Sequence, residues 1–183
     1  MVARIVLLNG VGSAGKTSIA KALQSIASAP LLHVQMDAFL DMLPKHLIGH
    51  PDGLVFRSVE QDGKPAVAIS SGPVAERAFR GMRHSVAALA AQGNDLVVDE
   101  VLLGTKGLEY EELLSPFRLY RVGVFAPLDL LEARERQRGD RLIGLARWQY
   151  DRVHQNMQYD LELDTSRVSP MTCAELIRDK FSL

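Results

Sequence analysis

Residues 5–17 read Ile5-Val6-Leu7-Leu8-Asn9-Gly10-Val11-Gly12-Ser13-Ala14-Gly15-Lys16-Thr17, four apolar residues running into a glycine-rich segment. An uninterrupted apolar run of this length suits a strand buried on both faces. Residues 10–17 fit the pattern G-x-x-x-x-G-K-[ST] in full. Beyond them Ile19, Ala20, Leu23 and Ile26 recur at helical spacing. Strand, glycine-rich turn and helix together form the setting in which backbone N–H groups and the positive helix end face the β- and γ-phosphates of a nucleotide. The nucleotide-binding candidates are therefore Gly10, Val11, Gly12, Ser13, Ala14, Gly15, Lys16, Thr17 and Ser18. Lys16 brings a positive charge to the phosphates, and the Thr17 hydroxyl is a ligand for Mg²⁺.

Outward from this stretch the hydrophobic period keeps switching. Residues 31–36, 96–98, 119–125 and 159–163 read as further strands, and 73–92, 128–137, 144–155 and 171–181 as helices. Such alternation predicts a doubly wound α/β layer structure with a parallel sheet. At 183 residues the chain suits a single domain spanning 1–183. A net charge of -1 gives no general attraction to nucleic acid or to an anionic membrane, so phosphate binding has to be local. The single Cys173 excludes an internal disulfide and fits a reducing cytoplasm, and the apolar run at the amino terminus is too short for a leader or a membrane span. No pattern argues for or against a homo-oligomer. Residues 44–72 break the rhythm with Pro51-Asp52-Gly53 and Asp62-Gly63-Lys64-Pro65. They read as an irregular insertion, either a substrate-side cover or a ligand-free surface hairpin.

Three further elements complete a phosphoryl-transfer reading. Leu96-Val97-Val98 ends in Asp99 and Glu100, and Asp99 is the second candidate for holding Mg²⁺. Asp37 follows the second strand at the edge where such sheets bind ligands; it suits a base for an acceptor hydroxyl and equally a helix cap. The arginine-rich stretch 134–141 reads as part of a lid over about 134–144, with Arg138 and Arg141 as the phosphoryl clamp. Phe39, Met42 and Phe56 are candidates for the acceptor pocket beside Asp37, whereas Arg77, Arg80, Arg83 and His84 read as a solvated helix face.

With Asn9-Gly10 running into Ser13-Ala14-Gly15-Lys16, Asp37 near Met42-Leu43-Pro44, Asp99 before Val101, Leu103 and Gly104, Arg138-Gly139-Asp140-Arg141, and Tyr159-Asp160 with Glu162, Asp164 and Thr165, the chain resembles the chloramphenicol phosphotransferase family, relatives of shikimate kinase. That resemblance implies a P-loop three-layer sandwich whose five-stranded parallel sheet has the order 2-3-1-4-5. It also implies Asp37 as the base for a primary hydroxyl and Arg141 near the phosphates. The expected activity is ATP- and Mg²⁺-dependent phosphorylation of a small hydroxyl compound, of chloramphenicol type or else a sugar acid, nucleoside or nucleotide. A nucleotide-dependent switch or binding protein is the contrasting expectation.

Overall fold

The computed structural model describes residues 2–139 and 142–183. Strand β1 (Arg4–Asn9) is the middle of a five-stranded sheet, and Ile5, Val6, Leu7 and Leu8 are all buried because helices cover both faces. Helix α1 (Lys16–Ile26) leaves it through the glycine-rich loop. Strand β2 (Leu31–Gln35) then leads directly into the short α2 (Met36–Leu40).

A hairpin of β3 (Leu54–Gln61) and β4 (Lys64–Ser71) stands apart from the main sheet. Helix α3 (Pro73–Ala91), strand β5 (Asp95–Glu100), helix α4 (Lys106–Leu113) and strand β6 (Arg118–Phe125) follow. Helices α5 (Leu128–Arg138) and α6 (Leu145–Tyr150), strand β7 (Leu161–Asp164) and helix α7 (Pro170–Phe181) complete the described elements. All pairings in the main sheet are parallel, in the order β2-β5-β1-β6-β7. With the two hairpin strands left out of the count, this is the 2-3-1-4-5 order.

The strand alternation of β1 and β5 builds two cores. Val6, Leu8 and Val97 face α1 and α7, meeting Ile19, Leu23, Cys173 and Ile177. Ile5, Leu7, Leu96 and Val98 face α3 and α4, meeting Met82, Val86 and Tyr110. Helix α4 had no legible period, since Tyr110 is its one buried residue and Leu108 is 62% exposed. The predicted helix over 144–155 is realised only as α6, followed by turns. No described helix is long and apolar enough to cross a membrane.

Residues 44–72 are more regular than their turn signals suggested. After a single 3₁₀ turn at Lys45–Leu47, β3 and β4 pair antiparallel, closed by Asp62 and Gly63, both at positive φ. Asp-Gly is the pair that a two-residue hairpin turn of this hand favours. The hairpin was one of two readings open in the sequence, but its strands show no apolar alternation because Arg57, Ser58, Val59 and Glu60 are all exposed. At its base Leu54 joins Leu43, Ala75 and Phe79 in a third core. Further out, Val67 N donates to Gly144 O (3.0 Å) and Gln61 Nε2 to Asp151 Oδ2 (2.8 Å), which fastens the hairpin to the α6 region.

Candidate active site

The loop between β1 and α1 takes its shape from two glycines that no other residue could replace without movement. A Cβ on Gly10 would stand 2.4 Å from Val124 O of the neighbouring strand, and Gly15, at φ 95°, occupies the left-handed region as it caps α1. Lys16 then begins the helix almost fully buried, its Nζ donating to Gly10 O (2.8 Å) and Val11 O (3.0 Å) and lying 3.9 Å from Asp99 Oδ1. This folds the lysine back over its own loop. Thr17 Oγ1 donates to Asp99 Oδ2 at 2.5 Å, so the first turn of α1 and the end of β5 meet through two oxygens.

Those are hard oxygen donors of the kind Mg²⁺ takes, with room in its octahedron for phosphate oxygens and water. They fit the ion as a nucleotide companion, and no cluster of three His, Cys, Asp or Glu side chains able to hold a metal exists among the described residues. His33, on β2, has its Nε2 3.9 Å from Asp99 Oδ2, and burial lowers its pKa against the pull of that carboxylate.

A cavity of about 590 Å³ runs along the carboxyl edge of the sheet. Gly12, Ser13, Gly15, Lys16, Thr17 and Ser18 line it from the loop, whereas Gly10, Val11 and Ala14 do not, Val11 and Ala14 being buried in the first core. Asp99 and Asp37 line the same cavity. Their proximity follows from register: Gln35 pairs with Asp99 across β2 and β5, and Asp37 is two residues beyond Gln35. Asp37 is not the cap of α2, since Gln35 holds that position and Asp37 lies inside the first turn.

Arg138, at the end of α5, also reaches the cavity; Arg141 lies outside the described residues. Phe56 lines the cavity from β3, together with Leu54 and Ile69 of the hairpin and Leu40 of α2. Phe39 and Met42 do not line it. Phe39 packs into the core under α3 and α4, because α2 turns that face to the sheet, and Met42 is 68% exposed beyond the helix end.

Several residues that hold the site carried no motif. Gln149 of α6, nearly buried, accepts from Gly12 N (2.8 Å) and so ties the loop tip to α6. Arg134, at the start of the arginine run, donates to Thr165 Oγ1 and Thr165 O (both 2.9 Å), and Thr165 Oγ1 donates in turn to Ala14 O (3.0 Å). Glu135, within the same arginine-rich stretch, is buried and accepts from Gly144 N (2.7 Å) and Ala146 N (2.8 Å). Its carboxylate thereby satisfies the start of α6.

Asn9 is buried directly below the loop. Its Nδ2 donates to Val153 O and Tyr159 Oη (both 2.8 Å), and its Oδ1 accepts from Leu102 N (2.8 Å). Tyr159, its pKa pushed up by burial to about 12, faces His154 Nδ1 at 2.7 Å. The His154 ring stacks on Phe125 at 3.9 Å, and burial lowers its pKa to about 4.

Arg83 corrects the solvated-face reading of α3. It is 3% exposed, its Nε donates to Glu109 Oε2 at 2.6 Å, and its Nη1 lies 3.6 Å from Glu100 Oε1. Burial raises the pKa of Glu100, and burial with the facing Glu100 charge raises that of Tyr110 well above its usual value. An i, i+3 spacing with Arg77 and Arg80 hid this residue, since only the tertiary structure sets which helix face meets α4.

The comparisons agree with this geometry. Over 169 residues, 89% of this chain and 75% of the relative, the sequence is 31% identical to a Mycobacterium tuberculosis (strain ATCC 25618 / H37Rv) protein named as a candidate O-phosphotransferase. The fold is shared with a Mycobacterium tuberculosis APS kinase solved with AMPPNP and APS, at TM-score 0.68 and 15% identity over 99% of this chain and 98% of that one. It is also shared with an Acinetobacter baumannii shikimate kinase solved with shikimate, at TM-score 0.58 and 15% identity over 98% and 94%. The model of the family described as chloramphenicol phosphotransferase-like protein matches residues 3–182. The chain belongs to the chloramphenicol phosphotransferase-like family and is a P-loop small-molecule kinase.

Proposed function

We propose that this kinase moves the γ-phosphoryl group of ATP to a hydroxyl of a largely uncharged small molecule, with Asp37 as the base. The observation that carries the reading is that Lys16 and Thr17 of the phosphate loop share one cavity with Asp37. The acceptor oxygen attacks the γ-phosphorus as the bond to the β,γ-bridging oxygen breaks, ADP departs, and the hydroxyl proton passes to the Asp37 carboxylate. Lys16 and Arg138 offset the negative charge spread over the transferred group. Thr17 and Asp99 would hold Mg²⁺, which when bound neutralises charge on the nucleotide phosphates.

The acceptor we favour has an apolar portion, as a chloramphenicol-type alcohol does. Leu40, Leu54, Phe56 and Ile69 supply the apolar wall, and Arg57 of the hairpin is exposed and does not line the cavity, which disfavours a nucleotide or sugar acid. The test is a mass-spectrometric assay of phosphorylated product with ATP, Mg²⁺ and a panel of alcohols headed by chloramphenicol. Asp37→Asn is expected to lose about 10²–10⁴-fold in transfer while binding AMPPNP as before, and Lys16→Ala to lose transfer and weaken nucleotide binding. Equal transfer by Asp37→Asn and the unmodified protein would remove the assigned base.

A further inference from the structure

The side chain of Gln149 has one amide oxygen that accepts and one amide nitrogen that donates twice. The Gly12 N–H can only donate, so the atom it meets at 2.8 Å is the oxygen, and the Gln149 Nε2 is turned away from that contact. Among the described residues this nitrogen donates no hydrogen bond, yet it is not one of the four partnerless side-chain atoms sealed from solvent. It is therefore open, and the opening that Gln149 lines is the cavity over the phosphate loop.

The part of the loop that Gln149 meets lies beside the lysine. Lys16 Nζ, the charge that reaches the β- and γ-phosphates in such loops, rests on Gly10 O (2.8 Å) and Val11 O (3.0 Å), the two residues just before Gly12. Asp37 and Arg138 line the same cavity. The amide is also braced from behind. Glu135 of α5 holds the start of α6 through Gly144 N and Ala146 N, and the hairpin holds α6 through Val67 N to Gly144 O (3.0 Å) and Gln61 Nε2 to Arg147 O (3.3 Å). A donor fixed in this way needs no reorganisation when charge builds on the oxygens of a moving phosphoryl group. We propose that Gln149 is a further catalytic residue: with its oxygen occupied by Gly12, its Nε2 donates to an oxygen of the γ-phosphoryl group. This rests on the ATP-dependent reading above.

The test measures by calorimetry the affinities of ADP and AMPPNP, each with Mg²⁺, for the unmodified protein, Gln149→Met and Gln149→Glu, so that no acceptor is needed. Only AMPPNP carries the third phosphoryl group. The AMPPNP-to-ADP affinity ratio therefore isolates contacts to that group, and a loosened loop that weakens both nucleotides alike cancels out of it. Gln149→Met keeps the length of the side chain and removes the donor; its ratio is expected to fall about tenfold or more, the loss of one hydrogen bond to a charged group. Gln149→Glu keeps an acceptor for Gly12 N but puts an oxygen where the donor stood, and its ratio should fall further. A ratio in either variant equal to that of the unmodified protein overturns the assignment, makes Gln149 a brace of the loop alone and leaves the transferase reading standing. Binding of neither nucleotide by the unmodified protein overturns both.

Discussion

Replacing Asn9 by alanine tests whether the floor of the phosphate loop is held by hydrogen bonds or by apolar packing alone. Asn9 is 1% exposed and joins three separate parts of the chain: Leu102 after β5, Val153 after α6, and Tyr159 before β7. In Asn9→Ala the N–H of Leu102 and the carbonyl of Val153 lose their partners, whereas the Tyr159 hydroxyl keeps His154. Two buried backbone groups left unsatisfied, at about 1–3 kcal/mol each, set an expected loss of about 3 kcal/mol. For a chain of this size that lowers the melting temperature by about 6–12 °C. The assay is urea unfolding followed by circular dichroism, comparing midpoints at equal slope for the unmodified protein, Asn9→Ala and Asn9→Asp. Asn9→Asp keeps an acceptor for Leu102 but cannot donate to Val153, so it should destabilise as well. A loss under about 1 kcal/mol in Asn9→Ala at unchanged slope would refute the reasoning, because it would mean that water or a small backbone shift replaces both bonds.

Two other outcomes follow from the same geometry. Thr17→Val keeps the side-chain outline and removes the hydroxyl that meets Asp99; AMPPNP affinity should fall at least tenfold in Mg²⁺ and stay level in EDTA, as read by calorimetry, and a matching fall in EDTA would contradict the metal role. His154, with its pKa near 4 against an ordinary 6.5, stays neutral in the folded protein while the unfolded chain takes up a proton. Its contribution is thus complete above about pH 6.5 and is lost as pH falls toward 4, so the melting temperature of His154→Gln should decline less than that of the unmodified protein between pH 7 and 5; parallel declines would count against it.

What the sequence determined by itself was the chain's local chemistry. A complete phosphate-loop motif between an apolar run and a helical period left little freedom, because glycine positions, a lysine and a hydroxyl at fixed spacing carry their function in the backbone that joins them. The parallel sheet was legible for a similar reason, since strands covered on both faces are continuously apolar. The docking of the hairpin, α4 and the buried Arg83 were not legible, as each owes its state to a partner far along the chain: the α6 region for β4, the second core for Tyr110, and Glu109 for Arg83.

Only the tertiary structure decided which residues share the cavity. It brought Asp37 and Phe56 to the phosphate loop, turned Phe39 into the core and left Met42 in solvent, because a five-residue helix at the end of β2 can present only one face to the site. Gln149 and Glu135 show the same limit from the other side. An amide or a carboxylate is unremarkable in sequence, and becomes part of the site only where folding sets it against an N–H that water can no longer reach.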